Sequence, residues 1–344
     1  MNVAFLGNSF HLTRTGSADF FIRFLRDCFG EIAVIPHKEA WGKLPGTKWD
    51  LLVVWQKHFP PEELESFPAQ RVVVVPMLDD TRLDAEYWRG YERFKIICFS
   101  SNLRERLAAL GLTVMGVRYY PEPKSVPGAS DFTRGLKGFF WPRTKALDWQ
   151  IVDRLIGTTP FARLHFHWTP DVHDDVEMPK NLERAGIQKV EVTTWFRDKG
   201  EYLASLSESN VFFASRRMEG IGMSFLEAMG MGMCVVAPDA PTMNEYIRGG
   251  ENGILFDADS ARPLDFTDAK RLGRSARDSV AAGRQRWLEA LPGVREFLEQ
   301  PVGDYRRRVR PGIVLRGRSI WLARRVYRFM KRMAALRRSR HAPA

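Results

Sequence analysis

The stretch from Asn210 to Asp257 constrains the fold more than any other part of the chain. It reads NVFFASRRMEGIGMSFLEAMGMGMCVVAPDAPTMNEYIRGGENGILFD. Residues 211–214 are a short apolar run rich in strand formers, which predicts a buried strand. A polar loop over 215–219 leads to Gly220-Ile221-Gly222, which opens an amphipathic helix running to Met229. Gly230 and Gly232 stop that helix, and residues 234–237 form the next strand. A short helix over 243–247 and a Gly-rich turn precede a third strand at 254–256. Strands alternating with helices over such short connections dictate a parallel sheet, since parallel neighbours need a crossover.

The chemistry is expected at the first strand-to-helix junction, because open parallel sheets bind ligands beyond the carboxyl ends of their strands. Gly220 and Gly222 carry no side chains, so the amides of Gly220, Ile221 and Gly222 can approach an anion closely. The helix dipole favours negative charge at the same point. Glu219 stands beside that loop and Glu227 lies eight residues further on. Two carboxylates next to an anion site make sense where each accepts hydrogen bonds from hydroxyls, as on a sugar and a ribose, while amides take phosphates. The plainer alternative is a pair of turn glycines with two solvated glutamates.

Residues 219–256, EGIGMSFLEAMGMGMCVVAPDAPTMNEYIRGGENGILF, resemble the donor-binding signature of retaining nucleotide-sugar glycosyltransferases with the GT-B fold, the family called glycosyl transferases group one. The resemblance implies an α/β protein with two Rossmann-like domains facing a cleft. It implies transfer of a sugar from a nucleotide-sugar donor to a glycan or lipid-linked acceptor, with retention, without a metal, in cell-envelope polysaccharide synthesis. By the same resemblance Glu219 contacts donor-sugar hydroxyls, the amides of Gly220, Ile221 and Gly222 hold phosphate and ring, and Glu227 accepts from the ribose. The family places an Arg and a Lys, five residues apart, after the first strand of the second domain. Here Arg143 and Lys145 stand there, closer together, with Arg197, Lys199 and Arg216 as substitutes. Gly16-Ser17 resembles the family's glycine loop near the donor phosphate, although a simple helix-start turn accounts for it equally well. No protein nucleophile and no cofactor are implied, the donor being a substrate.

Taken in order, residues 2–6, 32–35, 51–55, 72–76, 96–99 and 114–117 read as six strands of a first Rossmann-like half, with helices at 18–29 and 103–110. His58 and Asp79-Asp80 fall just past two of these strands, on the ligand edge, where they could meet an acceptor. The prolines and glycines of 119–138 read as a linker, giving an acceptor-side domain over 1–125 and a donor domain over 126–300. Further strands are expected at 138–141, 163–167 and 190–193. Helices are expected at 148–156, 180–185, 199–207 and 269–291, with 294–298 continuing the last one or crossing back to the first domain. His165, His167, His173, Asp174 and Asp175 invite a metal reading, but no zinc-ligand spacing supports it, and structural roles are preferred.

Three dispersed cysteines, Cys28, Cys98 and Cys234, point to a reducing compartment. Met1 runs straight into the first strand, leaving no room for a signal peptide, and no apolar run is long enough to span a bilayer. The net charge of +11 is concentrated in residues 301–344, which hold fourteen Lys or Arg and one acid, Asp304. Read as a helix from Ser319, this tail places Leu322, Val326, Phe329, Met330, Met333 and Leu336 on one face and arginines on the other. Such a basic amphipathic helix suits an anionic membrane surface through 306–340, with the protein on the cytoplasmic face. Nucleic acid is not expected, since Trp321, Tyr327 and Phe329 lie too close together to form a stacking platform. Two rival functions remain open: a nucleotide-sugar epimerase on the same architecture, and a non-catalytic sugar-binding protein of envelope assembly.

Overall fold

The apolar runs become two six-stranded parallel sheets in the computed structural model, which describes residues 1–56, 59–124, 127–171, 176–182 and 186–301 together with Ser319, Leu322, Ala323, Val326, Tyr327 and Met330. The first sheet holds β1 (Val3–Gly7), β2 (Ala33–Pro36), β3 (Trp49–Trp55), β4 (Ala69–Val75), β5 (Lys95–Cys98) and β6 (Thr113–Gly116), in the order β2-β1-β3-β4-β5-β6. Both faces are covered, as parallel sheets require. Val3 and Phe5 of β1 enter one core, and Ala4 and Leu6 the other. The second sheet holds β7 (Leu136–Phe140), β8 (Phe161–His167), β9 (Val190–Thr193), β10 (Val211–Phe213), β11 (Cys234–Pro238) and β12 (Ile254–Phe256), in the order β12-β11-β10-β7-β8-β9.

Each order contains one reversal, and the reversals fix where ligands fit. The chain steps from β1 to β2 on one side and then to β3 on the other, so loops after β1 and β3 diverge. In the second sheet it steps outward from β7 through β8 and β9, then returns to β10 on the other side of β7. The crevice at such a reversal is the binding position of open α/β sheets. Here it lies between the loops after β7 and β10.

The helices that frame the cleft are α1 (Asp19–Phe29), α2 (Ser101–Ala109), α3 (Trp149–Ile156), α4 (Lys199–Leu206), α5 (Met223–Met231), α6 (Met243–Tyr246) and α7 (Ala269–Glu299). No helix forms over Lys180, Asn181 and Leu182, so the helix expected there does not start as its sequence suggests, and 183–185 lie outside the described residues. The helix begun at Ala269 does not stop at Leu291, and 294–298 continue it, one of the two alternatives its sequence allowed. α7 runs on through Pro292, whose missing N–H leaves a gap beside Leu288, which is itself exposed to solvent.

That continuation is the crossover back to the first domain. At about 1.5 Å per residue, α7 is long enough to reach across both domains. Trp287 packs against Phe20, Phe99 and Tyr119 of the first domain. At its end the carbonyls of Phe297 and Gln300 accept from Lys95 Nζ, and that of Glu299 accepts from Arg71. Cations at a helix C-terminus satisfy its orphan carbonyls and its dipole together. Burial, with Arg71 alongside, lowers the Lys95 ammonium to about 8. A second tie comes from Glu245 on α6, whose carboxylate accepts from Ser100 Oγ at 2.7 Å, Ser101 N at 2.6 Å and Asn102 N at 3.1 Å. One domain thereby caps the N-terminus of α2 in the other.

Among the described residues no helix is long and apolar enough to cross a membrane. Of the basic tail, Ser319, Leu322, Ala323, Val326, Tyr327 and Met330 are helical. Leu322, Val326, Tyr327 and Met330 are 56%, 49%, 67% and 63% exposed among the described residues. The tail's other residues, including the arginines of the expected polar face, lie outside the described residues.

Candidate active site

The cleft is lined by four charged side chains that four separate loops bring together. Arg143 follows β7, Asp171 follows β8, Arg216 follows β10, and Asp79 follows β4 of the other domain. Arg143 Nε donates to Asp171 Oδ1 at 2.8 Å, and its guanidinium lies 4.4 Å over the Trp141 ring. Arg216 donates to Asp171 Oδ2 and, at 2.7 Å, to Asp79 Oδ2. The Arg143 loop is itself braced by Arg217, which donates to Ala146 O at 2.8 Å and pairs with Asp259 at 2.6 Å.

Glu219 sits at the centre of this group. Its carboxylate makes no hydrogen bond to any described residue, while Thr242 Oγ1 fixes its backbone carbonyl at 2.6 Å. Burial raises Glu219 to about 7; Arg216 and Arg143 pull it down, and Asp79 and Asp171 push it up. Asp79 is raised too, by burial first and by Asp80, against the pull of Arg216. Asp79 Oδ1 is buried with no hydrogen-bond partner among the described residues. A buried, unpaired carboxylate oxygen is unfavourable unless something arrives to donate to it.

The glycines have steric roles that the sequence did not disclose. A Cβ on Gly220 would lie 2.7 Å from Met77 Cβ and 2.8 Å from Asp79 Oδ1, so the loop packs directly under the first domain. Gly222 caps α5 with φ +81°, and a Cβ there would strike the Phe225 ring at 1.8 Å. Ile221 is buried between them. The amide-bearing turn therefore forms as expected, at the start of an α5 that has no acidic residue in its first turn.

Glu227 lies on α5 and is almost fully enclosed. Lys199 Nζ, from the start of α4, meets its Oε1 at 2.6 Å. Burial raises this carboxyl, and Lys199 and Lys124 oppose the rise. The Tyr202 hydroxyl, also on α4, is buried without a partner among the described residues. Burial raises it, and so do the charges of Glu227 and Glu219.

Several expected site residues fall elsewhere. Lys145 is exposed and no ion pair or hydrogen bond joins it to the cluster; the loop turns outward after Arg143, and Arg216 takes the second cationic place. Gly16 is a turn former: it ends a π-helical turn, His11–Thr15, in the left-handed region at φ 57°, and a Cβ would meet Asp19 Oδ2 at 2.7 Å. The side chain which that turn presents is His11, a residue the sequence did not single out. His58 lies outside the described residues, as do His173, Asp174 and Asp175. His165 and His167 share Thr193 Oγ1 at 2.7 and 2.9 Å, and His167 stacks on Phe196 at 4.5 Å. Burial lowers them to about 4 and about 3, so both are neutral packed imidazoles. No group of three or more potential ligands is placed to hold a metal ion among the described residues.

Residues 138–270 match the profile of the family described as Glycosyl transferases group 1. That span contains Arg143, Asp171, Arg216, Glu219 and Glu227 and no part of the first sheet. Lipopolysaccharide core biosynthesis mannosyltransferase LpsB of Rhizobium meliloti (strain 1021) is 27% identical over 105 residues, which are 28% of this chain and 27% of that protein. The match thus spans about a quarter of the relative's length.

Likeness to solved structures extends over both domains. HepE of Anabaena in complex with UDP superposes with a TM-score of 0.59, at 14% identity, over 85% of this chain and 100% of that one. Sucrose-phosphate synthase from Thermosynechococcus elongatus gives 0.60 at 12% identity, over 86% and 98%. The lipopolysaccharide outer core galactosyltransferase WaaB gives 0.51 at 16% identity, over 87% and 95%. The fold is two parallel-sheet α/β domains arranged as in GT-B glycosyltransferases.

Proposed function

We propose that this chain is a glycosyltransferase that moves a sugar from a nucleotide-sugar donor to a glycan or lipid-linked acceptor in cell-envelope polysaccharide synthesis. One observation carries the reading: the reversal of the second sheet places two arginines, the Glu219 carboxylate, which has no hydrogen bond to a described residue, and the N-terminus of α5 around one crevice. A diphosphate fits between Arg143, Arg216 and the Gly220–Gly222 amides. Glu219 accepts from donor-sugar hydroxyls, and Glu227, held by Lys199, from the ribose. Asp79, reaching in from the first domain with Oδ1 unsatisfied, receives an acceptor hydroxyl.

Transfer develops positive charge at the anomeric carbon and negative charge on the leaving diphosphate. Cations and amide donors fixed beforehand stabilise that charge without reorganisation. Arg143 and Arg216 make a metal unnecessary for this step. Retention, by attack on the face the diphosphate leaves, is supported by resemblance of the 219–256 segment to the retaining family, and no protein nucleophile is assigned. HepE is named with UDP bound, and LpsB and WaaB by their parts in lipopolysaccharide core synthesis, which supports a nucleotide-sugar donor and an envelope acceptor. The exposed apolar residues of the tail, among arginines in sequence, support docking on the inner, anionic face of a membrane.

The test is a thermal-shift panel of UDP-, GDP-, ADP- and CDP-sugars, followed by product analysis with and without glycan acceptors, in EDTA. A stabilising donor and an acceptor-dependent glycoside are expected. Conversion of the donor sugar to its epimer without acceptor would favour the epimerase, and no donor binding would leave a non-catalytic protein.

A further inference from the structure

The π-helical turn after β1 carries an imidazole to the cleft side of the first domain, where it feels the charges of both site arginines. His11 belongs to a polar stretch, and only the turn His11–Thr15, ended by left-handed Gly16, folds it back over the cleft. Phe10, beside it, packs edge-on against Trp195 of the second domain at 5.7 Å, which pins the turn across the domain boundary. The ring is held from behind. Thr15 Oγ1 lies 3.1 Å and Ser17 Oγ 3.2 Å from Nδ1, and Thr15 Oγ1 donates to Ser17 Oγ at 3.3 Å. Both hydroxyls can donate to Nδ1 or accept from it, so they hold the ring in either protonation state and leave Nε2 facing the cleft. Nε2 has no partner among the described residues.

On its own side the ring meets the Thr15 and Ser17 hydroxyls and, edge-on at 5.5 Å, the Phe10 ring; the second domain offers the charges of Arg143, Arg216 and Asp171. We propose that His11 is a catalytic residue on the first-domain side of the cleft, its Nε2 donating to the donor's diphosphate and the ring taking up a proton as that diphosphate binds. The inference rests on the donor-site reading given above and adds to it a contact from the opposite domain.

The electrostatics follow from the neighbours. In the empty cleft, burial and the two arginines hold His11 down at about 4, with Asp171 opposing, so the ring is neutral near neutral pH. A diphosphate lying against Arg143 and Arg216 reverses the local charge. An opposite charge within about 4–6 Å raises a pKa by roughly 1–3 units, which carries this imidazole from about 4 to roughly 5–7. The proton comes from solvent during binding. When the glycosidic C–O bond then breaks, its electron pair stays on a phosphate oxygen, and the imidazolium N–H stabilises that oxygen where its charge grows.

The full-length protein is titrated with UDP, GDP, ADP and CDP, and the tightest binder is carried into three variants: Arg143→Ala, His11→Gln and His11→Lys. In wild type the imidazole nitrogen resonances of His11 (the set missing in His11→Gln) should shift to the imidazolium form on adding the diphosphate at pH 6.5. Calorimetry in buffers of different ionisation enthalpy should show more proton uptake than for His11→Gln. His11→Gln should bind about tenfold more weakly at pH 6.5 and lose most of the gain in affinity between pH 8 and pH 6. His11→Lys, a permanent cation, should keep affinity and lose the pH slope, a pattern that a purely structural role would not give. If Arg143→Ala weakens binding while His11→Gln leaves affinity, uptake and slope unchanged, His11 has no such role and the donor site stands. If Arg143→Ala binds as wild type, or no diphosphate binds, the donor site is misplaced and this inference falls with it.

Discussion

Arg216 of the second domain and Asp79 of the first meet at 2.7 Å across the cleft, with Asp171 on the other side of the same guanidinium. Arg216, the cation proposed to meet the leaving diphosphate, is thus held by two carboxylates. Side chains of Arg216 and Asp79 are 22% and 14% exposed, so the pair is largely desolvated, and removing one partner strands the other.

Asp79→Asn keeps the shape and removes the charge, so its effects separate the two halves of the reaction. Donor affinity should hold or rise severalfold, because a competitor for Arg216 is gone. Turnover with acceptor should fall at least tenfold if Asp79 receives the acceptor hydroxyl as proposed, because a neutral amide is a weaker hydrogen-bond and proton acceptor than a carboxylate. Measuring the dissociation constant and kcat separately decides the matter, and an unchanged kcat removes Asp79 from the acceptor side.

Glu219 and Glu227 should fail in different ways. Glu219→Ala removes contacts to the reacting sugar and should cut transfer strongly at saturating donor. Glu227→Gln should chiefly weaken donor binding, roughly tenfold to a hundredfold, since a charge-assisted hydrogen bond contributes about 1.5–3 kcal/mol. Full kinetics on both variants check this, and wild-type constants in both would displace the donor site.

Protonation of Glu219 sets a pH limb. Burial raises its carboxyl to about 7, so below that pH the free protein holds it protonated and less able to accept from sugar hydroxyls. The donor kcat/KM should therefore rise about tenfold per unit as pH increases toward 7 and level off above it. Glu219→Gln should be slow and lack that limb, and a wild-type profile flat from pH 5.5 to 8 would contradict the assignment.

The two sheets were legible in the sequence because strands such as 51–55 and 234–237 are buried on both faces and so are continuously apolar. The Gly220–Gly222 turn was legible because turns need glycine where φ is positive, as at Gly222. The rest depended on tertiary contact. His11 reads as one more polar loop residue until a π-helical turn lifts it into the cleft. Asp171 and Arg216 come together from loops 45 residues apart, a pairing no local pattern encodes. Arg143 stands beside Asp171 in the cleft, after β7 as its sequence position suggested, while Lys145 faces solvent, because sequence proximity does not show which way a loop turns.

Glu245 should govern how the domains close. Its carboxylate spans the gap to cap α2, with Arg118 at 4.0 Å on the same oxygen pair. Glu245→Ala should destabilise the protein by about 1–2 kcal/mol, as for other lost N-caps, and should lower turnover by loosening the closed cleft. Urea unfolding reads the first effect. Small-angle scattering should show a larger radius of gyration without ligand, and an unchanged radius with unchanged turnover would make the cap merely local.

The tail carries the last expectation. Leu322, Val326, Tyr327 and Met330 are exposed helical residues, and residues 301–344 supply fourteen basic residues against a single acid. Each Lys or Arg close to an anionic leaflet contributes about 1 kcal/mol, screened by salt. Truncation before Arg306 should abolish co-sedimentation with vesicles containing anionic lipid and leave turnover of a soluble acceptor intact. Raising salt from 0.05 to 0.5 M should release most of the intact protein, whereas Leu322→Glu with Met330→Glu should release it at low salt. If the intact chain ignores anionic vesicles at low salt, or binds neutral ones equally well, charge does not direct the tail. If it binds RNA in preference to vesicles, the membrane assignment gives way to a nucleic-acid one.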